Sequence, residues 1–582
     1  MKKIRYIFIM FLALVISKEA FSQAPSVTSV SPQRQVINAP RGTAIVVNFS
    51  TALKPVSVNN NSFRVFGKQL GPVTGTLELL NGNTQIKFTP ANMFNAGEWV
   101  TVTISRGIQA QDNTPIAFGY NWNFWTKAEP GTLNQSLIKT IPVRRSGEGL
   151  IQCYGALGMD FNDDRKTDLA IVNEVSRDFR VFLNNGTNYD TMYALYPIPS
   201  GNFPSPSEAA DFNRDGKVDI AIGNAGNNVM SLFMSNGNGN FQTGIPHIAA
   251  NNVRGVGVAD FEGDGFDDII TANRGGSNIS LFKNNGSGAF GPPVNINTAG
   301  GGETGVMMAD ANNDGIMDAF IGCYSSSEIV LMLGDGNGSF TYSSRSPING
   351  QVWAIVVGDI NGDGNVDVAG CLSSANKIGV IFGNGTGGLG PTVNYVSGQF
   401  PLAIDIGDID GDNDLDLIAS DYVSGDYKVY GNNGSGVFTN TPITLPASSA
   451  GSCMTVHDRD NDGDLDLAGI DEVDDLLFIF NNGPVGIQNG SSLIPDEYRL
   501  HQNYPNPFNP ETVINFELKN TGFVNLKIYD VNGKEVRTLL NQREGSGQHS
   551  ISFDGKDLPS GIYFYILEVD GKSLTKIMAL IK

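Results

Sequence analysis

The sequence predicts an all-β protein with a sevenfold repeat at its centre and a further β-rich unit on each side. A nine-residue acidic pattern returns seven times, at intervals of 49 to 51 residues, and a fixed period of this length is typical of repeat architectures. Between the acidic segments, short alternating apolar runs are separated by turn residues, and the 582-residue chain contains 70 glycines. Such alternation between Gly- and Asn-rich turns indicates β-strands rather than helices.

The N-terminus has the pattern of an export signal. Three basic residues among the first five precede an apolar run from Tyr6 to Ile16, which is too short to span a bilayer. The small residues Ala20 and Ser22 then stand at the −3 and −1 positions of a cleavage site. We therefore expect residues 1–22 to be a signal peptide and the mature chain to begin at Gln23.

Residues 23–128 are predicted to form a β-sandwich, because alternating runs such as Ala44–Phe49 and Trp99–Ile104 are spaced by turns. With Ser31-Pro32 near its start and Trp122–Thr126 at its end, this unit resembles bacterial Ig-like domains, which implies an Ig-like sandwich. Two interpretations, a sugar-stacking patch or core packing, apply to Trp99, Trp122 and Trp125. Core packing is the commoner role of such side chains.

Each central repeat contains four predicted strands. One strand leads into the acidic loop, as in Val352–Val357, and a second follows it, as in Ile220–Gly223. A third strand ends in a turn such as Asn185-Gly186, which supplies the positive φ angles that tight hairpins need, and a fourth strand follows this turn. Four antiparallel strands repeated seven times predict a seven-bladed β-propeller over residues 133–486, whose ring hides sheet edges that would otherwise be open.

The ends of the repeat region predict how the ring closes. Repeat 7 stops near Gly483 and lacks a fourth strand, whereas an unassigned alternating segment, Ser136–Val143, precedes repeat 1. We therefore predict that the segment Ser136–Val143 supplies the fourth strand of the last blade.

The acidic loops read Asp-x-[Asn/Asp/Glu]-x-Asp-x-x-x-Asp. Oxygen ligands at positions 1, 3, 5 and 9, with a backbone carbonyl at position 7, suit a hard cation such as calcium. Glycine at position 6, present in five copies, permits the sharp turn that brings these oxygens together. The predicted metal ligands, repeat by repeat, are Asp160, Asn162, Asp164 and Asp168; Asp211, Asn213, Asp215 and Asp219; Asp260, Glu262, Asp264 and Asp268; Asp310, Asn312, Asp314 and Asp318; Asp359, Asn361, Asp363 and Asp367; Asp408, Asp410, Asp412 and Asp416; and Asp458, Asp460, Asp462 and Asp466.

The net charge of the chain and the placement of its acidic residues agree with a cation-binding role. The net charge is −21, and 24 of the 59 acidic residues occupy these ligand positions. An acidic surface argues against a nucleic-acid partner, which needs a basic face. An EF-hand would need Glu at loop position 12 and flanking helices, but residues such as Ile171 and Thr271 stand there. A metal-free interpretation, in which the aspartates cap turns, stays open, although converging carboxylates repel unless a cation or protons intervene.

Loops such as Asp359–Asp367, and the Val-x-Val-x-Asp strand before them, resemble the FG-GAP/VCBS-type repeats of integrin α-chain propellers and of many bacterial surface proteins. The resemblance implies one calcium ion per blade, up to seven in all. Three copies depart from the pattern, because Arg165 and Asn413 stand where Gly is usual and Glu262 occupies position 3 of repeat 3. Occupancy of sites 1, 3 and 6 therefore stays open.

After the linker 487–494, residues 495–582 form the last predicted unit, a second Ig-like sandwich. Its segments Tyr504–Pro510, Leu526–Gly533 and Leu558–Tyr563, with the terminal Lys576–Lys582, resemble the C-terminal sorting domain of the type IX secretion system. The resemblance implies contact with the secretion machinery, removal of the tail, and release or attachment at the cell surface. An ordinary third Ig-like module is the alternative.

Taken with the export signal, these units predict an extracellular or cell-surface, calcium-binding protein that recognises or adheres to glycan or protein ligands. A polysaccharide-degrading enzyme of the lyase type and a purely structural surface component are the alternatives. No catalytic residue is predicted, since the four histidines lack zinc-site spacing and the candidate bases Arg254, Arg274 and His457 stand alone in the sequence. We expect calcium to stabilise the propeller and not the flanking modules, and we expect no transmembrane helix in the mature chain.

Overall fold

A computed structural model describes residues 24–186, 188–482, 498–503, 506–519, 522–544, 547–569 and 571–582. The predicted signal peptide, the linker 487–494 and Tyr504-Pro505 of the sorting-type motif lie outside these residues. The chain divides into two compact units, Met1–Val485 and Gly486–Lys582. In the described residues, regular structure is almost entirely β, which confirms the predicted fold class.

The N-terminal part of the first unit is a sandwich of two four-stranded sheets, with strand orders β1-β2-β6-β5 and β4-β3-β7-β8. Its buried faces share one core, in which Trp122 is fully buried beside Val102 and Phe124. The strands are β1 (Val27–Ser31), β2 (Ile45–Phe49), β3 (Phe63–Gly67), β4 (Gly71–Pro72), β5 (Gly75–Leu80), β6 (Gln85–Pro90), β7 (Trp99–Ile104) and β8 (Tyr120–Trp125), with short 3-10 turns at Pro55–Ser57 and Asn81–Asn83.

The remainder of the first unit contains seven four-stranded sheets, one per repeat. Strand β9 (Ser136–Pro142) precedes the first repeat. Blades 1 to 4 consist of β10 (Cys153–Met159), β11 (Asp168–Asn173), β12 (Asp178–Phe182) and β13 (Ala194–Pro197); β14 (Pro204–Ala210), β15 (Asp219–Asn224), β16 (Val229–Phe233) and β19 (Ile245–Ile248), with the small hairpin β17 (Ser235–Gly237) and β18 (Asn240–Phe241); β20 (Val253–Ala259), β21 (Asp268–Asn273), β22 (Asn278–Phe282) and β23 (Val294–Asn297); and β24 (Glu303–Ala309), β25 (Asp318–Cys323), β26 (Glu328–Gly334) and β27 (Phe340–Pro347).

Blades 5 to 7 repeat the arrangement. They consist of β28 (Val352–Gly358), β29 (Asp367–Leu372), β30 (Lys377–Gly383) and β31 (Leu389–Val396); β32 (Pro401–Gly407), β33 (Asp416–Asp421), β34 (Asp426–Tyr430) and β35 (Ile443–Pro446); and β36 (Gly451–His457), β37 (Asp466–Asp471) and β38 (Leu476–Asn481), completed by β9. The second strand of every blade is buried along its whole length, because blades cover it on both faces.

The ring closes as the sequence predicts. The first strand of each blade packs beside the first strand of the next, and β36 of blade 7 packs beside β10 of blade 1. Strand β9 pairs antiparallel with β38, with Ile141 opposite Leu477, so the segment before repeat 1 does complete the last blade. The buried carboxylate of Asp475, just before β38, accepts backbone N–H bonds from Ile151 (3.1 Å) and Gln152 (2.8 Å).

The sandwich sits on the end of the ring that carries the acidic loops. Trp99 and Trp125 meet edge to face with ring centroids 4.6 Å apart, and both pack against propeller residues such as Val356 and Ile406. Core packing is thus confirmed for these tryptophans, with the propeller as part of their surroundings. A cavity of about 140 Å³ lies between the sheet β4-β3-β7-β8 and the inner strands, and its lining includes Met307 and Met308.

The second unit is a sandwich of a three-stranded and a four-stranded sheet, with orders β39-β40-β43 and β42-β41-β44-β45. Alternate residues of its long strands, such as Val524, Leu526 and Ile528, point into a single core. Its strands are β39 (Arg499–Leu500), β40 (Glu511–Leu518), β41 (Gly522–Asp530), β42 (Glu535–Glu544), β43 (Gly547–Asp554), β44 (Gly561–Val569) and β45 (Lys572–Leu580).

Candidate metal sites

Each acidic loop joins the first strand of a blade to its second strand. Its backbone N–H groups donate to side-chain oxygens of the same loop. In repeat 2, the carboxylate of Asp211 accepts backbone N–H bonds from Asp215 (3.0 Å) and Gly216 (2.9 Å). The amide oxygen of Asn213 accepts a further bond from the N–H of Asp215 (3.0 Å). The same bonds recur in repeats 1, 4 and 5, so the side chains at positions 1 and 3 are held by the loop backbone.

Position 6 adopts the left-handed conformation in all seven loops, including the two copies without glycine. Asparagine tolerates this region well, whereas arginine adopts it at some cost. The φ angles are 67° at Arg165, 83° at Gly216, 90° at Gly265, 86° at Gly315, 83° at Gly364, 73° at Asn413 and 104° at Gly463. The departures at repeats 1 and 6 therefore do not change the path of the loop.

The aspartate at position 9 connects the loop to its blade. In repeat 1, Asp168 accepts the N–H of Phe161 (3.0 Å) on one oxygen and the N–H of Asn184 (2.7 Å) on the other. Equivalent pairs of bonds occur in repeats 2 to 6. Burial raises the pKa of Asp168, and likewise of Asp318, to about 8. This residue therefore has a structural role besides that of a candidate ligand.

The loops of repeats 6 and 7 bring their carboxylates closest together. Ligand oxygens of Asp408, Asp410 and Asp416 lie within 4.8 Å of one another. In the described part of the chain, buried oxygens of Asp408, Asp410 and the position-7 residue Asp414 have no hydrogen-bond donor. Burial and the neighbouring carboxylates of Asp412 and Asp410 raise the pKa of Asp408 to about 7. Converging buried carboxylates of this kind repel one another unless protons or a bound cation intervene.

The loop of repeat 7 also brings its carboxylates close together. Oxygens of Asp458, Asp460 and Asp462 lie within 4.8 Å of one another. Buried oxygens of Asp458 and Asp460, and of Asp464 at position 7, lack a hydrogen-bond donor among the described residues. The guanidinium of Arg41, from the N-terminal sandwich, lies 3.7 Å from Asp458. A hard cation with six to eight oxygen ligands would satisfy these atoms.

Lysine side chains partly neutralise the first three loops. Lys166 lies 2.8 Å from Asp164 and Lys217 lies 3.3 Å from Asp215, in each case from position 7 to position 5. In repeat 3, Glu262 is paired with Lys283, the residue that follows the third strand. Sequence reasoning missed this difference because the pattern was read at the ligand positions alone. Repeat 7 has basic partners too, since Arg459 lies 2.6 Å from Asp460, so the seven loops are unequal and repeat 6 carries the strongest case for a metal.

The N-terminal sandwich contacts several loops directly. Backbone N–H groups of Arg106 and Asn121 donate to the carbonyl oxygens of Gly263 (2.6 Å) and Gly315 (2.7 Å), which lie in the loops of repeats 3 and 4. Arg34 lies 3.8 Å from Asp310, the position-1 aspartate of repeat 4. The candidate metal sites are thus part of an interface between the sandwich and the propeller.

Family models match three parts of the chain. The repeats match the FG-GAP-like repeat at residues 160–222, 211–271, 260–321, 312–370 and 408–469. The chain contains FG-GAP-like repeats. In front of its propeller, residues 22–126 match the bacterial Ig-like domain, and behind it residues 502–581 match the secretion system C-terminal sorting domain. The resemblances drawn from the sequence are confirmed for all three parts.

Solved structures resemble this chain only distantly, and no curated protein matches it significantly. PorZ, a surface component of the type IX secretion system of Porphyromonas gingivalis, is 12% identical over 94% of this chain and 70% of its own, with a TM-score of 0.34. The periplasmic gluconolactonase PpgL of Pseudomonas aeruginosa is 13% identical over 67% of this chain and 97% of its own, with a TM-score of 0.40. A fungal alcohol oxidase of the AA5 family is 10% identical over 77% of this chain and 100% of its own, with a TM-score of 0.39.

The sorting domain decides where the protein acts. It directs export by type IX secretion to the cell surface or the extracellular space, as predicted, and it is the part that meets the secretion machinery. Among the described residues, no helix is long and apolar enough to cross a bilayer.

Proposed function

We propose that the propeller binds calcium through its acidic loops and acts outside the cell in recognition or adhesion. The observation that carries the calcium proposal is the set of buried, undonated carboxylate oxygens in repeats 6 and 7. In each loop the side-chain oxygens of positions 1, 3, 5 and 9 and the carbonyl oxygen of position 7 would hold the ion. Carboxylate and carbonyl oxygens favour calcium over softer metals, and the larger, flexible coordination shell favours it over magnesium.

Calcium binding is tested on the purified mature chain after exhaustive chelation. We expect calorimetric titration with calcium to show saturable binding, elemental analysis to find calcium after dialysis, and the melting temperature to rise with free calcium by mass action. Magnesium at the same concentration is the matched control and should substitute poorly. A chain that binds no calcium and melts identically in calcium and in chelator would contradict the proposal.

Recognition rather than catalysis is the role we propose for the propeller. His457, a candidate base in the sequence, is almost fully buried, its Nε2 lies 2.7 Å from the hydroxyl of Tyr189, and burial lowers its pKa to about 3. A large polymeric substrate cannot reach such a side chain. The experiment is a glycan and protein binding screen on the calcium-loaded chain, in which saturable binding of at least one ligand is expected.

A polysaccharide lyase remains a second candidate because of one observation. Arg254 and Arg274, which stand alone in the sequence, are brought together with aromatic side chains in the folded propeller, and Arg254 lies over the ring of Tyr154. Burial raises the pKa of the Tyr154 phenol, which disfavours the phenolate that a lyase base would need. A depolymerisation assay that follows new unsaturated ends separates the two roles, and turnover would overturn the non-enzymatic proposal.

A further inference from the structure

The first strands of the seven blades surround the central channel of the propeller, and the two ends of this channel differ. At one end the N-terminal sandwich covers the acidic loops, and Lys68 reaches in to lie 3.3 Å from Asp405. At the other end, about 20 Å away by the length of a seven-residue strand, the first strands begin. There, large aromatic and charged side chains gather, which we call the channel-mouth cluster: Tyr154, Glu174, Arg254, Arg274, Tyr324, Trp353, Phe400, Tyr422 and Glu472.

Eight of the nine cluster residues occupy two equivalent positions of the repeat. Six residues before the first loop aspartate, successive blades carry Tyr154, Ser205, Arg254, Thr304, Trp353, Leu402 and Ser452. Fourteen residues after it, just beyond the second strand, they carry Glu174, Ala225, Arg274, Tyr324, Ser373, Tyr422 and Glu472. The acidic loops keep one chemistry in every blade, whereas these positions range from small to large, charged and aromatic. Such variation on a constant scaffold is where binding function is expected.

A β-bulge marks the first of these positions. The pairing of first and second strands skips Tyr154 in blade 1, Arg254 in blade 3 and Trp353 with its neighbour in blade 5. A bulge leaves a residue unpaired and re-aims its side chain. The repeated bulge thus places one side chain per blade near the start of the channel.

Aromatic rings form a continuous row across blades 4 to 6. Ring centroids are 5.3 Å apart between Tyr324 and Trp353, 5.8 Å between Trp353 and Phe400, and 6.1 Å between Phe400 and Tyr422. All four rings are partly exposed. The rings are inclined to one another by 60–73°, so each partly exposed ring offers its own apolar face or edge to the C–H faces of a sugar ring.

Arg274 is placed to receive an anion beside this row. Its guanidinium lies 4.0 Å from the ring centroid of Tyr324 and 5.2 Å from that of Trp353. Among the described residues its side chain has ring contacts but no hydrogen bond or ion pair. A planar guanidinium held against rings, with its donors unused, matches a carboxylate in two-point geometry.

Carboxylates on the other side of the mouth provide acceptors. Glu174 is 6% exposed, its Oε1 has no hydrogen-bond donor in the described part of the chain, and Arg254 lies 3.8 Å from this oxygen. Glu472 accepts a bond from the side chain of Gln152 (2.5 Å). A buried acceptor without a donor is costly unless a ligand or water supplies one, and sugar hydroxyls are such donors.

We propose that the channel-mouth cluster binds an acidic glycan, with sugar rings stacked along the aromatic row, a uronate-type carboxylate on Arg274 and hydroxyl groups donating to Glu174. This inference rests on the proposed role in recognition and names its site and ligand class. An acidic peptide would use the arginine and its N–H groups could donate to the buried acceptor, but a glutamate peptide would leave the ring faces without the C–H face of a sugar ring. The juxtaposition of stacking faces, a free cation and a buried acceptor therefore favours a sugar acid.

The test uses the full mature chain, calcium-loaded, and two matched probes. These are a short galacturonate oligosaccharide and its methyl ester, which share ring stereochemistry and differ in charge. A glutamate oligopeptide is the third probe. We expect saturable binding of the acid by calorimetry, binding of the ester weaker by about tenfold or more from loss of the charge-assisted pair, and no competition by the peptide.

Variants separate the two contacts. Arg274→Gln should weaken binding of the acid by about tenfold and leave binding of the ester unchanged. Tyr324→Leu, which keeps apolar bulk but removes the flat ring, should weaken binding of both sugars, and of the acid more, because this ring also holds the Arg274 guanidinium. Arg345→Gln is the matched control, because Arg345 lies half-exposed on β27, the fourth strand of blade 4, with Glu328 at 3.7 Å, and it should change neither. Melting temperatures report whether each variant folds.

Each alternative result has a distinct meaning. Equal binding of acid and ester, or no binding of the acid, would overturn the ligand class. Competition by the peptide with no effect of Tyr324→Leu would show a site for acidic peptides and overturn the glycan. Glycan binding unchanged in both variants would leave recognition standing and overturn this site. Failure of the wild-type chain to bind any glycan or protein in the broad screen would overturn the proposed function itself.

Discussion

At the scale of single residues, the aspartates of the acidic loop have two different roles, one structural and one as candidate metal ligands. The position-9 side chain is tied to the blade by two backbone N–H bonds, as Asp416 is to Ile409 (3.0 Å) and Asn432 (2.9 Å). The side chains of Asp408 and Asp410, at positions 1 and 3 of repeat 6, converge with Asp416, and each has a buried oxygen without a donor among the described residues. Substitution at these positions should therefore have opposite consequences when calcium is absent.

Asp410→Asn should raise the melting temperature in chelator, because it removes one of several repelling carboxylates. In calcium the same change should lower stability, by up to about 2.7 kcal/mol where free calcium is 100 times the dissociation constant. Asp416→Asn should lower stability by about 1–3 kcal/mol in both conditions, since it disturbs two buried hydrogen bonds. Thermal melts of both variants in chelator and in calcium check this. Equal effects of Asp410→Asn in the two conditions would speak against an ion in repeat 6.

Burial of the position-9 aspartates also predicts how stability depends on pH. The pKa of Asp168, Asp318 and Asp367 is raised to about 8, whereas an aspartate in an unfolded chain titrates near about 3.9. A raised folded-state pKa contributes stability that is fully present below the unfolded pKa and is lost as pH rises through the folded pKa. In chelator, the propeller should therefore become less stable between about pH 4 and pH 8.

Calcium should change that profile. A bound cation favours the charged carboxylates, so the loss of stability on raising the pH should shrink, and acidification below about pH 4 should release the ion. Melting temperatures measured across this range, with calcium and with chelator, give the two curves. Parallel curves would show that the ion does not interact with these carboxylates.

At the scale of elements, closure of the ring depends on a strand that precedes repeat 1 in the sequence. Strand β9 supplies the fourth strand of blade 7, and Asp475 fastens the chain leading into blade 1 through the N–H groups of Ile151 and Gln152. The carboxylate is fully buried, and Asp475 has a positive φ of 55°, which asparagine tolerates well. Closure should therefore be sensitive to the charge at this one position.

Asp475→Asn should lower stability by about 1–3 kcal/mol, because both carboxylate oxygens accept buried N–H bonds and an amide keeps only one acceptor, while the backbone is not strained. Asp474→Asn is the matched control. Its side chain is partly exposed and accepts a hydrogen bond from the Ser449 hydroxyl at 2.7 Å, so a change within about 0.5 kcal/mol is expected. Denaturant unfolding of both variants measures the difference, and equal losses would argue against a role for Asp475 in closure.

The sequence predicted the periodic part of this architecture and missed what does not repeat. The strands, the loops and the role of Ser136–Val143 follow from a fixed period and from alternation, which local sequence encodes directly. The channel-mouth cluster was missed because its members, such as Arg274 and Tyr324, differ from blade to blade and meet only when the ring closes. Aligning the repeats on their first aspartate and looking for variable rather than constant positions would have found them.

At the scale of the whole first unit, the Ig-like domain and the acidic loops are one structure. The sequence led us to expect calcium to act on the propeller and not on its neighbours. However, backbone N–H groups of Arg106, Asn121 and Glu129 donate to the loop carbonyls of Gly263, Gly315 and Gly463. Because loops that lose their ion would loosen, we now expect the docking of the Ig-like domain to depend on calcium.

Hydrogen exchange on the full chain measures this coupling at individual amides. In chelator, the N–H groups of Asn121 and Glu129 should exchange faster than in calcium, because their acceptors lie in the loops of repeats 4 and 7. Lys87 is the internal control, since it lies in β6 and pairs with β2 and β5 of the other sheet of the sandwich. Its exchange should change little. Equal acceleration at all three sites would mean that the domain unfolds as a whole, and no change at Asn121 and Glu129 would show that docking is independent of the ion.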